Sequence, residues 1–374
     1  MARVEPQSNI VLIAPRSKRP LRLDLLVPEE PPNFSVVQLP SLRRESGRNG
    51  VTLNLIFHVS CLFYLLINSR AGDLLVTASF HKLFEFLLKQ SDIRNRLHWV
   101  YEVHQLSEIE APPIQPDPQY EVVRRVDFVF TTTPQLQSLL EAKTQRKDVS
   151  CLGLACSFAP DIFLKRGRSL SSVDFTSVIS IGYVGSVYSE QGVQWLVEQW
   201  PQLCARIKNP LRLEIIGGSK AELESLKRLS ELNPAAPNTE LLFHGWVSPS
   251  LVPKYLEGID ILIIPSLKVG RMPYVAITKA YDYLAFNRPV IASDLFSIQS
   301  VMTPEKHALF FEAGNVESLA AAILTLQARG PLFVEELTRA CREKALELSW
   351  EAHARKFMRQ SQVEGHRPAP DPDF

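Results

Sequence analysis

The chain has 374 residues, 45% of them hydrophobic and 22% charged. That length predicts roughly two to three domains, and that composition excludes bulk disorder, collagen and coiled coil. Forty-one basic against forty acidic side chains leave a net charge of +1, which argues against a dedicated nucleic-acid binder.

Short apolar runs alternate with helical stretches along the chain, the pattern of a parallel sheet covered by helices. Strands are predicted at Ile10–Ala14, Ser35–Leu39, Asp73–Ala78, His98–Val103, Asp127–Thr131 and Val149–Leu154, all in one sheet. Helices at Val51–Asn68, Phe80–Lys89 and Gln135–Ala142 separate several of them. Thr52–Asn68 is 17 residues long and carries Asn54, His58 and Ser60. It lies at the short limit for a bilayer crossing and reads as a buried amphipathic helix. Arg43, Arg44 and Arg48 just upstream leave contact with a membrane surface open. Glu108–Tyr120 holds four prolines and is expected to be an extended loop.

A second series follows. Strands are predicted at Ile179–Val184, Arg212–Ile216, Glu240–His244, Ile259–Ile264, Pro289–Ala292 and Ala308–Phe311. Helices are predicted at Gly192–Lys208, Lys220–Leu232, Ser250–Glu257, Thr278–Ala285, Val316–Ala328 and Pro331–Leu348. Two α/β series of similar size mean two Rossmann-like domains, residues 1–160 and 177–348, joined by a linker over 161–176. A helix over 349–362 is expected to pack back towards the first domain, and the proline-rich tail from 363 to be disordered.

Five cysteines (Cys61, Cys151, Cys156, Cys204 and Cys341) form no CxxC pair and no zinc spacing. Together with the lack of a signal-peptide pattern at Met1–Ser8, the odd count points to reduced thiols in the cytoplasm. Two segments carry candidate chemistry. In Ile181–Leu196 an apolar strand ends in Gly185-Ser186, and Gly192 opens a helix. Glycine lets the backbone approach a phosphate, and a helix N-terminus offers free N–H groups, although an ordinary strand-to-helix turn has the same sequence. In Pro273–Asp294, Lys279 and Asp282 share a helix face. A cation there suits a diphosphate and an acid one turn on suits ribose hydroxyls; a surface salt bridge is the competing reading.

The segment Lys279, Asp282, Tyr283, Ala285, Asn287, Pro289, Val290, Ile291 resembles the donor-binding segment K-x-x-E-Y-x-A-x-G-x-P-V-I of the family 4 (group 1) glycosyltransferases. YVGSVYSEQGVQWL, LEIIGG, Leu241–Ser266 and His307–Ile323 are similar to further family segments in the expected order. WVYEVHQL, VDFVFTTTPQL and VSCLGLACSFAPDIF match in the first half. The resemblance implies the GT-B fold, two Rossmann-like domains facing across a cleft, and a retaining transfer from a UDP- or GDP-sugar to a hydroxyl acceptor in polysaccharide or glycolipid assembly. It implies no cofactor and no obligatory metal. Carried over residue by residue, Gly185 and Ser186 would offer N–H groups to the diphosphate, with Lys279 beside it. Asp282 would meet the ribose, and Gly245, Trp246 and Val247 would border the base. His104 matches a sugar-contacting histidine and is the candidate catalytic residue, or else a histidine that merely ends a strand. Trp99 and Tyr101 read as core.

The departures are as informative. Where the family has an arginine and a lysine against the diphosphate, this chain has Ser186 and Gln191, and Lys268 or Arg271 would have to substitute. The first acid of the family's E-x7-E pattern falls on Tyr274. The usual first strand-helix unit, with its glycine-rich loop, is not recognisable before NIVLIAP, and Pro15–Pro32 is basic and proline-rich. Two readings follow: a glycosyltransferase, or a catalytically weak member acting as a binding or scaffold subunit in glycan assembly. A nicotinamide oxidoreductase is disfavoured, because no GxGxxG follows a first strand.

Overall fold

A computed structural model describes residues 9–15, 33–39, 55–78, 81–106, 117–159, 178–234 and 239–361. The stretch 16–32, Arg43, Arg44, Arg48, most of the Glu108–Tyr120 loop, the linker 161–176 and the tail from 363 lie outside the described residues.

The first half contains β1 (Ile10–Pro15), β2 (Phe34–Leu39), α1 (Leu55–Asn68), β3 (Leu74–Thr77), α2 (His81–Leu88), α3 (Ser91–Arg94), β4 (His98–Val103), α4 (Gln119–Arg125), β5 (Phe128–Thr131), α5 (Pro134–Thr144) and β6 (Val149–Cys151). Strands β3 to β6 form a parallel sheet in sequence order. One of its faces packs on Leu65, Phe84, Leu87 and Leu140, with Trp99 and Tyr101 deep in that core. The expectation of a single six-stranded sheet does not hold. β1 and β2 pair with each other, Ile10 opposite Phe34 through Pro15 opposite Leu39, apart from the other four. Apolar periodicity marks a run as a strand but carries no information on which neighbour it pairs with. The expected loop also ends early, because α4 begins at Gln119 after Pro118 takes the N-cap position.

The second half runs β7 (Ile179–Val184), a 3₁₀ turn at Ser189–Gln191, α6 (Val193–Arg206), β8 (Leu211–Ile216), α7 (Lys220–Leu232), β9 (Glu240–Gly245), α8 (Val252–Leu256), β10 (Ile261–Ile264), α9 (Thr278–Asp282), β11 (Val290–Ser293), α10 (Phe296–Gln299), β12 (Leu309–Phe311), α11 (Val316–Glu347) and α12 (Trp350–Ser361). The strands form one parallel sheet in the order β12-β11-β10-β7-β8-β9. β10 and β11 are buried along their whole length, as apolar strands covered on both faces should be. Ser219 and Glu222 form a capping box that starts α7. The predicted helix Thr278–Ala285 is α9 followed by a 3₁₀ turn at Tyr283–Ala285, after which Asn287 turns the chain with φ 51°. The two helices predicted between Val316 and Leu348 run on as α11 except at Gly330 (φ 71°, ψ −170°), which breaks the path just before Pro331.

Several contacts tie the halves together. The Thr133 hydroxyl donates to the Tyr274 carbonyl, and Cys156 N–H to the Leu348 carbonyl at 2.8 Å. Phe158 meets Phe286 edge-on at 5.0 Å. Along α12, Phe357 packs with Val100, Phe130 and Leu152 on the outer face of the first sheet. Lys356 donates to the carbonyls of Cys151 and Leu152.

Candidate active site

In the second sheet β7 and β10 are neighbours, but the chain leaves them in opposite directions, towards β8 and towards β11. The loops after two such strands separate, and the crevice between them is where open α/β sheets bind ligands. The crevice is bordered by Gly185-Ser186 after β7 and by residues 265–277 after β10.

Gly185 has φ +146°, and its N–H donates to the Ile216 carbonyl at 2.9 Å. A Cβ at this position would approach the Lys279 Nζ to 3.2 Å, and one at Gly217 would lie 2.0 Å from the Gly185 carbonyl oxygen. Gly217 in turn donates to the Gly245 carbonyl at 2.7 Å. Backbone from three strand ends therefore converges here with no side chains between. Ser186 is exposed, and its carbonyl accepts the Tyr183 hydroxyl. Gly192 caps α6 with φ +77°, and a Cβ there would sit 1.7 Å from the Pro265 carbonyl oxygen. The close approach of these two loops brings the N-terminus of α6, with its free N–H groups and positive dipole end, to the crevice.

Lys279 is not a surface residue. It is 6% exposed, its Nζ donates to Gln191 Oε1 at 2.6 Å, and it lies 5.1 Å over the Tyr183 ring. Burial lowers its pKa to about 8, with Asp282 acting weakly the other way. Among the described residues no carboxylate comes within ion-pairing distance, so the surface salt bridge with Asp282 is not formed. Asp282 Oδ1 instead accepts the Ser157 N–H at 2.9 Å, across to the segment leaving the first sheet. Burial pushes its carboxyl up, against hydrogen bonds from the Ser157 backbone and hydroxyl and the charge of Lys279.

Arg271 bridges the crevice. Its Nη1 donates to Gln105 Oε1 at 2.6 Å and its Nη2 to Glu190 Oε1 at 3.2 Å. Glu190 is held below the ordinary carboxylate range by its own backbone N–H and by Arg271. Lys268 is exposed in the same loop. Trp246, beyond the edge strand β9, is 75% exposed, while Val247 packs on the core near Val252. His104 is exposed at the end of β4 in the first half, its Nε2 3.2 Å from Glu102 Oε1. The structure thus groups Gly185, Lys279 and Gly245 through Gly217, places Arg271 one loop away, and leaves Lys268 and Trp246 at the rim.

Four residues not predicted for the site belong to its surroundings. Gln191 holds Lys279, Gln105 receives Arg271, and Thr133 anchors the 267–277 loop. Ser266 has a fully buried hydroxyl with no hydrogen-bond partner among the described residues. Gln105, Thr133 and Ser266 lie just beyond the C-terminal ends of β4, β5 and β10, and Gln191 lies in the turn between β7 and α6.

Residues 179–329 match the family model for glycosyl transferases group 1. A search of curated protein sequences finds no match. Sucrose-phosphate synthase from Thermosynechococcus elongatus superposes with a TM-score of 0.73 at 18% identity, covering 96% of this chain and 89% of that one. A glycosyltransferase from Rickettsia africae gives a TM-score of 0.68 at 14% identity, covering 94% and 89%. HepE from Anabaena, solved with UDP and glucose, gives 0.64 at 12% identity, covering 94% and 99%. The switch-point sheet lies within residues 179–329, the part of the chain that matches the group 1 glycosyl transferase model, and the chain that carries it has the GT-B fold.

Proposed function

We propose that the protein transfers a sugar from a nucleoside diphosphate sugar to a hydroxyl acceptor, with the donor held by the second half and the acceptor by the first. The observation that carries this reading is the buried Lys279 beside Gly185 and the start of α6, at the switch point of the sheet. A glycosyl transfer breaks the bond between the anomeric carbon and the diphosphate oxygen, so negative charge develops on the departing diphosphate. An uncompensated ammonium and a helix N-terminus, fixed in a crevice that excludes much water, stabilise that charge without rearranging. His104 and Glu102 at the end of β4 would meet the sugar from the opposite side, Gly245 to Val247 would border the base, and Asp282 would meet the ribose. Retention of configuration and a place in polysaccharide or glycolipid assembly belong to the same proposal. That HepE was solved with UDP and glucose supports the choice of ligand.

A weakly catalytic binding subunit is the second reading. In its favour, Arg271 is already paired with Glu190, and the neutral side chains of Ser186 and Gln191 border the crevice, so Lys279 is the main uncompensated cation. Calorimetric titration tests both. The donor reading expects UDP or GDP to bind at least tenfold more tightly than the monophosphate, and absence of binding to either diphosphate defeats it. Donor hydrolysis by the purified chain then separates enzyme from scaffold.

A further inference from the structure

Gln191 is the neutral residue in a crowded polar neighbourhood. The carboxylate of the residue before it, Glu190, is paired with Arg271. The residue after it, Gly192, is pinned on the Pro265 carbonyl. With its neighbours fixed on both sides, Gln191 is left to present Oε1 to the Lys279 ammonium at 2.6 Å, its amide nitrogen lying 4.0 Å from the Met272 sulfur. The other groups acting on Lys279 are the Tyr183 ring beneath it and the charge of Asp282, whose carboxylate accepts the Ser157 N–H.

A carbonyl acceptor satisfies one N–H of lysine in either protonation state, but supplies no negative charge. We propose that Gln191 is the positioning residue for Lys279, and that a nucleoside diphosphate entering at Gly185 binds together with one proton, which Lys279 takes up. The inference rests on the donor-site reading. Before binding, burial disfavours the ammonium, and the group titrates at about 8. A diphosphate beside it favours the ammonium again, so the bound complex holds the proton to higher pH. Lysine accepts the proton from solvent on its free amine, and no bond in the nucleotide changes. Affinity is then flat around pH 7 and falls roughly tenfold per pH unit above the free-state value until the bound complex itself titrates.

The test is titration of the full chain with UDP between pH 7.5 and 9, in pairs of buffers that differ in ionisation enthalpy. The terminal phosphate ionises near about 6, so it is fully charged throughout. The expected result is net proton uptake rising towards one per UDP across that range. Gln191→Glu places a charge where the amide stood. It should abolish the uptake and weaken UDP binding at pH 7.5 at least tenfold, because the ammonium is then already neutralised. Gln191→Met should weaken binding several-fold and move the uptake to lower pH. UDP binding to the wild-type chain without proton exchange overturns the proposal and leaves the donor site standing. Wild-type uptake in a folded Gln191→Glu variant also overturns it, and failure of any nucleoside diphosphate to bind overturns both readings.

Discussion

Lys279 and Asp282 stand three residues apart and do opposite work. Burying an ammonium without a counterion costs stability, so Lys279→Met should stabilise the fold at pH 7 by about 1–3 kcal/mol while abolishing diphosphate binding. The sign follows from the two pKa values. The folded value is about 8 against an ordinary 10.5, so the penalty is complete below pH 8 and disappears as pH rises towards 10.5. Denaturant unfolding of both proteins at pH 7 and pH 10 should show the difference shrinking; a constant difference would mean that packing, not charge, separates them. Burial disfavours the charged form of Asp282 as well, but removing its side chain strands a donor. Its carboxylate accepts the Ser157 N–H, so Asp282→Ala should cost about 1.5–3 kcal/mol of stability before any ligand is considered. Nucleotide affinity in that variant must be measured on folded protein. A further loss of UDP binding there, with Asp282→Glu near wild type, assigns the carboxylate to the ribose as well as to the chain.

At the scale of elements, the crevice depends on two loops touching without side chains. Gly192 combines φ +77° with a predicted Cβ position 1.7 Å from the Pro265 carbonyl. Gly192→Ala must therefore shift α6, shift the loop after β10, or both. A loss of about 2–4 kcal/mol is expected, together with weaker UDP binding, because the helix N-terminus and Gln191 move with it. Thermal melts and titration of the same preparation check this. At Gly270 (φ +53°), where a Cβ meets nothing within 4 Å, substitution to alanine should cost only the backbone strain and is the matched control. The contrast between two positive-φ glycines separates conformational strain from steric exclusion.

At the scale of the molecule, the two halves are joined near the crevice by polar contacts and by Phe158 against Phe286, and at the back by the packing of α12 on the first sheet. Phe357 on α12 packs tilted against Phe130 at 5.3 Å among buried neighbours, so Phe357→Ala should destabilise by about 3–5 kcal/mol, read as a lower Tm. Arg271 is different. Its contacts to Gln105 and Glu190 are partly exposed, so Arg271→Ala should change stability by less than about 1 kcal/mol. It should nonetheless widen the crevice, visible by solution scattering as a larger radius of gyration in the absence of nucleotide. An unchanged radius would place the hold between the halves at Thr133–Tyr274 and α12 instead.

The described strands of all three sheets, and the longer described helices, could be located in the chain alone, because burial on two faces leaves continuous apolar runs such as Ile261–Ile264 and burial on one face leaves a helical period. Gly185 and Gly192 stand out as candidates because a strand end followed by glycine and a helix start is a local pattern, and Lys279 because it shares a helix face with Asp282. What local pattern cannot carry is partnership between distant residues. The pairing of β1 with β2 alone, the turning of Asp282 towards Ser157, the span of Arg271 from Glu190 to Gln105 and the burial of Lys279 against Gln191 all join positions far apart in the chain. Each is decided by which elements the tertiary fold brings side by side, because hydrogen bonds and desolvation follow distance in space and not separation along the chain.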